Sequence, residues 1–90
     1  MQEINSGDIL KALGQRVRQL RKRQGYSQES FADATGLHRT WMGSLERGES
    51  NLSFHNLVLI SKTLGITLSK LFSGIEKSAE KVARPNDNEA

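Results

Sequence analysis

In this 90-residue chain, Ala32 and Gly36 stand four residues apart, and Met42 follows the glycine by six. That spacing leaves the segment few ways to fold. Two short helices crossing steeply through a turn of about three or four residues bring their axes close near the middle of the first, where only a methyl side chain fits. Ala32 supplies the methyl, and Gly36 supplies the positive φ that the turn needs. Phe31, Leu37, Met42 and Leu45 then form a wedge of core that holds the angle. The predicted helix pair occupies Gln28 to Gly48 (QESFADATGLHRTWMGSLERG), with a polar stripe on its second helix.

The remainder of the chain is helical by the same reading. Pro85 is the single proline, and β-branched residues never alternate over a strand-length run. Helix 1 is predicted from about Asp8 to Gln24, capped by Ser6 or Asn5 and ended by Gly25, with Leu10, Leu13, Val17 and Leu20 as its apolar stripe. Helix 2 runs from its cap Ser27 to Thr35, and helix 3 from about Arg39 to Glu46. Helix 4 begins after Ser53 and ends at Gly65, burying Phe54, Leu57, Ile60 and Leu64. A short helix 5 from about Leu68 to Ser73 returns Leu68, Leu71 and Phe72 to the bundle. Beyond it, Ile75, Ala79 and Val82 recur at helical spacing as a marginal sixth helix, and RPNDNEA is expected to be disordered. Residues 8–73 therefore read as one all-α, compact five-helix domain, and 74–90 as a C-terminal extension.

Size and composition exclude much else. A chain of 90 residues with 36% apolar content is one small domain with no space for a separate sensing module. The absence of cysteine removes disulfides, thiolate metal sites and thiol nucleophiles, which suits a reducing cytoplasm. MQEINSGDIL lacks the basic start and apolar run of a signal peptide, and no stretch reaches membrane-spanning length, so a soluble cytoplasmic protein without a membrane partner is expected. His38 and His55 have no second ligand at metal spacing. No phosphate loop, nucleophile elbow or paired-carboxylate arrangement is present, so no catalytic residue, metal or cofactor is predicted and an enzyme is not expected.

Charge is unevenly placed. The net charge is +3, and residues 1–48 hold eight Lys and Arg against five Asp and Glu, whereas residues 49–90 hold five of each. Arg16, Arg18, Arg21, Lys22 and Arg23 fall within eight residues of helix 1. They form either a solvated face or a patch that faces phosphates.

From Leu13 to Phe72 the sequence resembles the helix-turn-helix domain of the phage lambda repressor and Cro class, also called the xenobiotic-response-element (XRE) family. The resemblance is carried by Leu20 and Arg21, by Ser27 and Gln28 opening helix 2, by Gly36 and Leu37 in the turn, by the Leu-Glu-Arg-Gly that closes helix 3, and by Asn56 to Gly65. The stretch GLHRTWMGSLERGESNLS is similar to the small regulators that control restriction-modification genes. The resemblance implies a sequence-specific double-stranded DNA-binding transcriptional regulator that acts as a homodimer, with helix 3 in the major groove. His38 departs from the pattern, because the family usually caps this helix with serine or threonine.

The residues themselves divide the work. By helical period Met42 and Leu45 face inward, while Arg39, Thr40, Gly43, Ser44 and Arg47 share an outward stripe. Arg39, Thr40 and Ser44 are the base-reading candidates; a guanidinium bonds O6 and N7 of guanine together, and a phosphate contact is the other reading of Arg39. Gly43 costs about 1 kcal/mol relative to alanine in an exposed helix, and either close backbone approach to DNA or drift accounts for it. Gln28, at the first turn of helix 2, is a phosphate candidate together with its backbone N–H groups, as the family uses it. Arg47, Asn51 and Ser53 form a second phosphate-facing region, with His55 beside it, although Ser53 also reads as the N-cap of helix 4. Trp41 either donates its indole N–H to a phosphate or packs beside Leu45. The resemblance further implies an ion pair between Arg21 and Glu46. Two copies are needed to read two half-sites, and Leu68, Leu71, Phe72 and Ile75 are the dimer candidates, some of them shared with the monomer core. Two other roles fit the same fold: a DNA-binding antitoxin with a toxin partner, and an adaptor that bridges proteins.

Overall fold

The computed structural model describes residues 4–83. Six helices follow in order among these residues: α1 (Ser6–Arg23), α2 (Gln28–Thr35), α3 (Arg39–Glu46), α4 (Phe54–Leu64), α5 (Leu68–Leu71) and α6 (Ile75–Ala83). The RPNDNEA segment lies outside them. The first five make the expected all-α domain. No single helix among the described residues is long and apolar enough to cross a membrane.

Local chemistry sets the helix ends. Asn5 Oδ1 accepts from the Asp8 amide at 2.9 Å while Asp8 Oδ2 accepts from the Asn5 amide at 3.2 Å, so α1 starts two residues earlier than predicted. Ser27 and Ser30 exchange the same pair of bonds at the start of α2. Gly36 takes φ 81°, which lets the Ala32 carbonyl accept from both the Gly36 and Leu37 amides. Two side chains, one in α1 and one at its C-cap, serve the ends of other helices: Gln24 Nε2 donates to the Leu64 carbonyl at 2.8 Å, and Arg16 Nη2 donates to the Lys70 carbonyl at 2.9 Å. Both carbonyls belong to the last turn of their helices, and the contacts tie α4 and α5 to α1.

The core is built from Leu13, Val17, Leu20, Phe31, Ala32, Met42, Leu45, Ile60, Leu64, Leu71, Ile75 and Ala79, among others. Ala32 is 1% exposed at the helix crossing. Three features differ from expectation. Phe54 is 71% exposed rather than buried, because it opens α4 one turn before that helix meets the core. Leu71 and Ile75 are fully buried within one chain, which removes them from the dimer candidates and leaves Leu68 and Phe72, both half-buried. The third difference is α6, which lies along α1 and buries Ile75 and Ala79, so packing does not break after residue 73.

Gly14 marks the tightest crossing. A Cβ there would collide with the carbonyl oxygen of Leu45 and come within 2.9 Å of the Glu46 carbonyl oxygen. Backbone cannot move aside as a flexible side chain can. Gly14→Ala should therefore lower the melting temperature by roughly 10 °C or more, the shift expected from at least about 2 kcal/mol of overpacking in a domain of this size. Thermal unfolding followed by circular dichroism checks this; a shift under a few degrees would mean that α1 and α3 are less closely pressed than described.

Candidate nucleic-acid interface

The end of α3 is fastened by charge. Arg21 donates from Nε to Glu46 Oε2 at 2.6 Å and from Nη2 to Glu46 Oε1 at 2.8 Å, with side-chain exposures of 7% and 3%. Its Nη1 donates to the Tyr26 carbonyl at 3.0 Å, and Gln28 Nε2 donates to Glu46 Oε1 at 3.1 Å. Burial alone pushes the Glu46 carboxyl up, but hydrogen bonds from Arg21 and Gln28 and the charges of Arg21 and Arg18 outweigh it and hold it below its ordinary range. The hydrogen bond to Glu46 raises Arg21 further, against its own desolvation. Glu46 is thereby neutralised, so an acid next to the outer surface of α3 does not repel phosphate.

Upon this base α3 presents its N-terminal end. Met42 and Leu45 are fully buried, whereas Arg39 and Thr40 are exposed and Ser44 is half-buried. His38 caps the helix: its Nδ1 accepts from the Thr40 amide at 3.1 Å, replacing the serine or threonine of the family pattern. Sequence reasoning missed this role, although an unprotonated imidazole nitrogen is a competent acceptor. Arg39 Nη1 donates to Glu29 Oε2 on α2 at 3.1 Å, and Arg47 Nε donates to Glu49 Oε1 at 3.0 Å; all four side chains are largely exposed. Such pairs contribute at most about 1 kcal/mol, so they yield readily to a competing anion.

Gly43 is buried, not part of the outward stripe. A Cβ there would meet Arg47 Nη1 at 3.3 Å and Gln28 Oε1 at 3.4 Å. The glycine thus makes space for the Gln28 amide that crosses from α2 to Glu46. Gln28 stands at the first turn of α2, half-buried, with one N–H committed to Glu46 and the other free. Trp41 is half-buried against the core. Asn51 and His55 are exposed, and Ser53 Oγ caps α4 by accepting from the Asn56 amide at 3.1 Å. Gln28, Arg39 and Thr40 are thus gathered where α2 and α3 begin, and Arg47, Asn51 and Ser53 follow along the link from α3 to α4. Among the described residues no group of three or more His, Cys, Asp or Glu could hold a metal ion.

A family profile for helix-turn-helix domains matches residues 17–71, from the middle of α1 to the end of α5. The chain belongs to that family. It is 51% identical over 71 residues to the control protein C.MunI of a Mycoplasma species, covering 78% of this chain and 96% of that one. The crystal structure of the restriction-modification controller C.AhdI from Aeromonas hydrophila superposes with a TM-score of 0.68 at 41% identity, over 70% of this chain and 96% of the other. SinR, a master regulator for biofilm formation solved in complex with DNA, superposes with a TM-score of 0.64 at 32% identity, over 68% of this chain and 98% of the other. The likenesses to C.MunI and C.AhdI each take in 96% of the other chain, whereas the match to the full sequence of SinR from Bacillus subtilis takes in 54% of that protein.

Glu46 is the most exacting test of this geometry. Removing one member of a buried pair leaves the other charge unpaired, which costs about 3 to 5 kcal/mol. Glu46→Ala should therefore unfold at markedly lower denaturant. Because the folded carboxyl is held below its unfolded value, its contribution is complete above the ordinary carboxylate range and is lost as pH falls through the lowered folded value. Urea titrations between pH 7 and pH 3 should show wild type and Glu46→Ala converging as the solution becomes acid; a constant gap between them would contradict the assignment.

Proposed function

We propose that this protein is a cytoplasmic transcriptional regulator that binds duplex DNA as a homodimer on a palindromic operator, with α3 in the major groove, and that the genes it governs include a restriction-modification system. The observation that carries the reading is the seating of α3: its inner face is locked by Met42, Leu45 and Glu46, and Arg39 and Thr40 stand exposed at the end that reaches base edges in this kind of docking. The gene assignment draws on the control proteins to which the chain is similar.

In this reading Arg39 turns from Glu29 to the O6 and N7 of a guanine, Thr40 meets the neighbouring base, and Ser44 reads one turn further along. Gln28 offers its free amide N–H, together with the open backbone N–H groups of the first turn of α2, to one phosphate. Arg47, Asn51 and the Ser53 hydroxyl hold a second backbone, and the Trp41 indole N–H supports them from the same side. None of this requires a cofactor or catalysis.

One recognition helix reads only a few base pairs, so two copies are needed at a spacing of about 34 to 36 Å. The α4–α5 side suits their contact. Leu68 and Phe72 are half-buried there, and Phe54 on α4 leaves a large apolar side chain in water, which a partner copy would cover.

Two measurements examine these assignments. After an operator has been selected from a random duplex pool, Arg39→Ala should lose roughly 1 to 3 kcal/mol of discrimination at one base pair per half-site, while an equal loss on every sequence would make Arg39 a phosphate contact. In sedimentation equilibrium the wild type should be dimeric at micromolar concentration, and Phe54→Asp should weaken the dimer by at least about tenfold, equivalent to roughly 1.4 kcal/mol. A monomeric wild type, both free and on DNA, would remove the dimer from this reading.

A further inference from the structure

Five cations crowd helix α1, and the interface described above uses only part of them. Arg21 is held by Glu46, and Arg16 by the carbonyls of Lys70 and Leu71. Arg18, Lys22 and Arg23 are left, all exposed; Lys11 lies on the face of Arg18 and Lys22, at a spacing of seven residues from Arg18. Two adjoining clefts run along this face. One, of about 610 Å³, is lined by Lys11, Gln15, Gln19, Ser78, Lys81 and Val82; the other, of about 400 Å³, by Gln15, Arg18, Gln19 and Lys22. They share Gln15 and Gln19, so together they form one open trough that begins between α1 and α6 and continues along α1, lined by amides and cations.

Among the described residues no carboxylate lines the trough, and none of Lys11, Arg18, Lys22 and Lys81 has an ion-pair partner. None of the four is among the arginines that pair with Glu46, Glu29 or Glu49. From Lys11 to Lys22 the helix rises about 16 Å, long enough to meet more than one phosphate of a strand. The trough also adjoins the recognition helix. Lys11 is packed on Gly48, where a Cβ would lie 2.7 Å from the Lys11 Cα, and Arg18 stands near enough to Glu46 to lower its carboxyl.

We propose that this trough is a second DNA-binding site, which takes the phosphodiester backbone of duplex flanking the half-site occupied by α3. It rests on the DNA-binding reading above and extends it to α6, a helix that lies beyond the residues 17–71 matched by the family profile. The glutamine amides donate to phosphate oxygens, and the four cations displace condensed counterions. Neither kind of contact carries base information, so the trough strengthens binding on every sequence.

The test compares wild type with Lys11→Gln/Lys81→Gln and Arg18→Gln/Lys22→Gln. Binding is measured by fluorescence anisotropy across a salt series, on duplexes from a random-pool selection that are either trimmed to the half-sites or extended by one turn on each side. All four positions are exposed, and melting curves should confirm that both variants are folded. Wild type should bind the extended duplex at least about tenfold more tightly than the trimmed one, and each variant should lose most of that gain. The slope of log affinity against log salt should become shallower by about 0.9 for each phosphate contact removed, while the ratio of selected to shuffled sequence stays the same. Equal affinity of wild type for both lengths, or variants with the wild-type slope, would overturn the proposal. Retention of polyglutamate by wild type but not by the variants, without any effect of flanking length, would overturn it in favour of an acidic protein partner. Failure of the DNA-reading assignment is a different result: wild type would then not distinguish selected from shuffled duplex at all.

Discussion

The geometry of the interface depends on the bidentate pair between Arg21 and Glu46. Apolar contacts such as Phe31 against Met42 draw α2 and α3 onto α1, but they are non-directional and tolerate sliding. Two parallel hydrogen bonds to one carboxylate do not slide. Desolvation works against such a pair, and it holds only where the remaining donors and acceptors are satisfied. Here Tyr26 supplies a carbonyl for Arg21, and Gln28 supplies an amide for Glu46. No buried side-chain nitrogen or oxygen among the described residues lacks a partner. The consequence is mechanical: α1, the turn into α2, the first turn of α2 and the last turn of α3 meet at one point, which fixes Gln28 relative to α3.

Small residues around this point allow the approach that the charges enforce. Gly14 lets the Leu45 and Glu46 carbonyls rest on α1, and Gly43 lets the Gln28 side chain cross over α3 to reach Glu46. A methyl group at Gly14 would push α1 and α3 apart, whereas one at Gly43 would press on the tips of the Arg47 and Gln28 side chains. Glycine in the middle of an eight-residue helix looks costly when α3 is considered alone, and it becomes reasonable once Gln28 and Arg47 are seen to lie over it.

The same comparison explains how far the sequence could be read. The spans of α2 and α3 were legible to the residue, because Ser27, Gly36 and the period of Met42 and Leu45 act within a few residues of chain. The environment of Gly43 was not, since its covering side chains come from another helix and from the following turn. Phe54 was misplaced for a related reason. It continues the apolar spacing of Leu57, Ile60 and Leu64, but a period specifies a face and not how far along the helix a neighbour extends. Likewise Ile75, Ala79 and Val82 revealed a helix without revealing that α1 receives it. His38 was recognised as a departure from a capping pattern, and the imidazole nitrogen that performs the capping emerged only from the geometry.

Charge is distributed so that reading and attraction fall on different surfaces. Beside the recognition helix, Glu29 accompanies Arg39 and Glu49 accompanies Arg47, so the two outward arginines carry no net excess in the free protein. An exposed pair of this kind is exchanged at small cost when a base or phosphate offers better geometry, and it offers little to a poorly fitting sequence. Lys11, Arg18, Lys22 and Lys81, without ion-pair partners among the described residues, lie instead along α1 and toward the end of α6. A regulator whose reading helix were itself strongly basic would bind every duplex tightly, because counterion release is blind to sequence. Keeping the reading surface nearly neutral and the attraction to one side lets the second raise encounter and occupancy without eroding the discrimination that the first supplies.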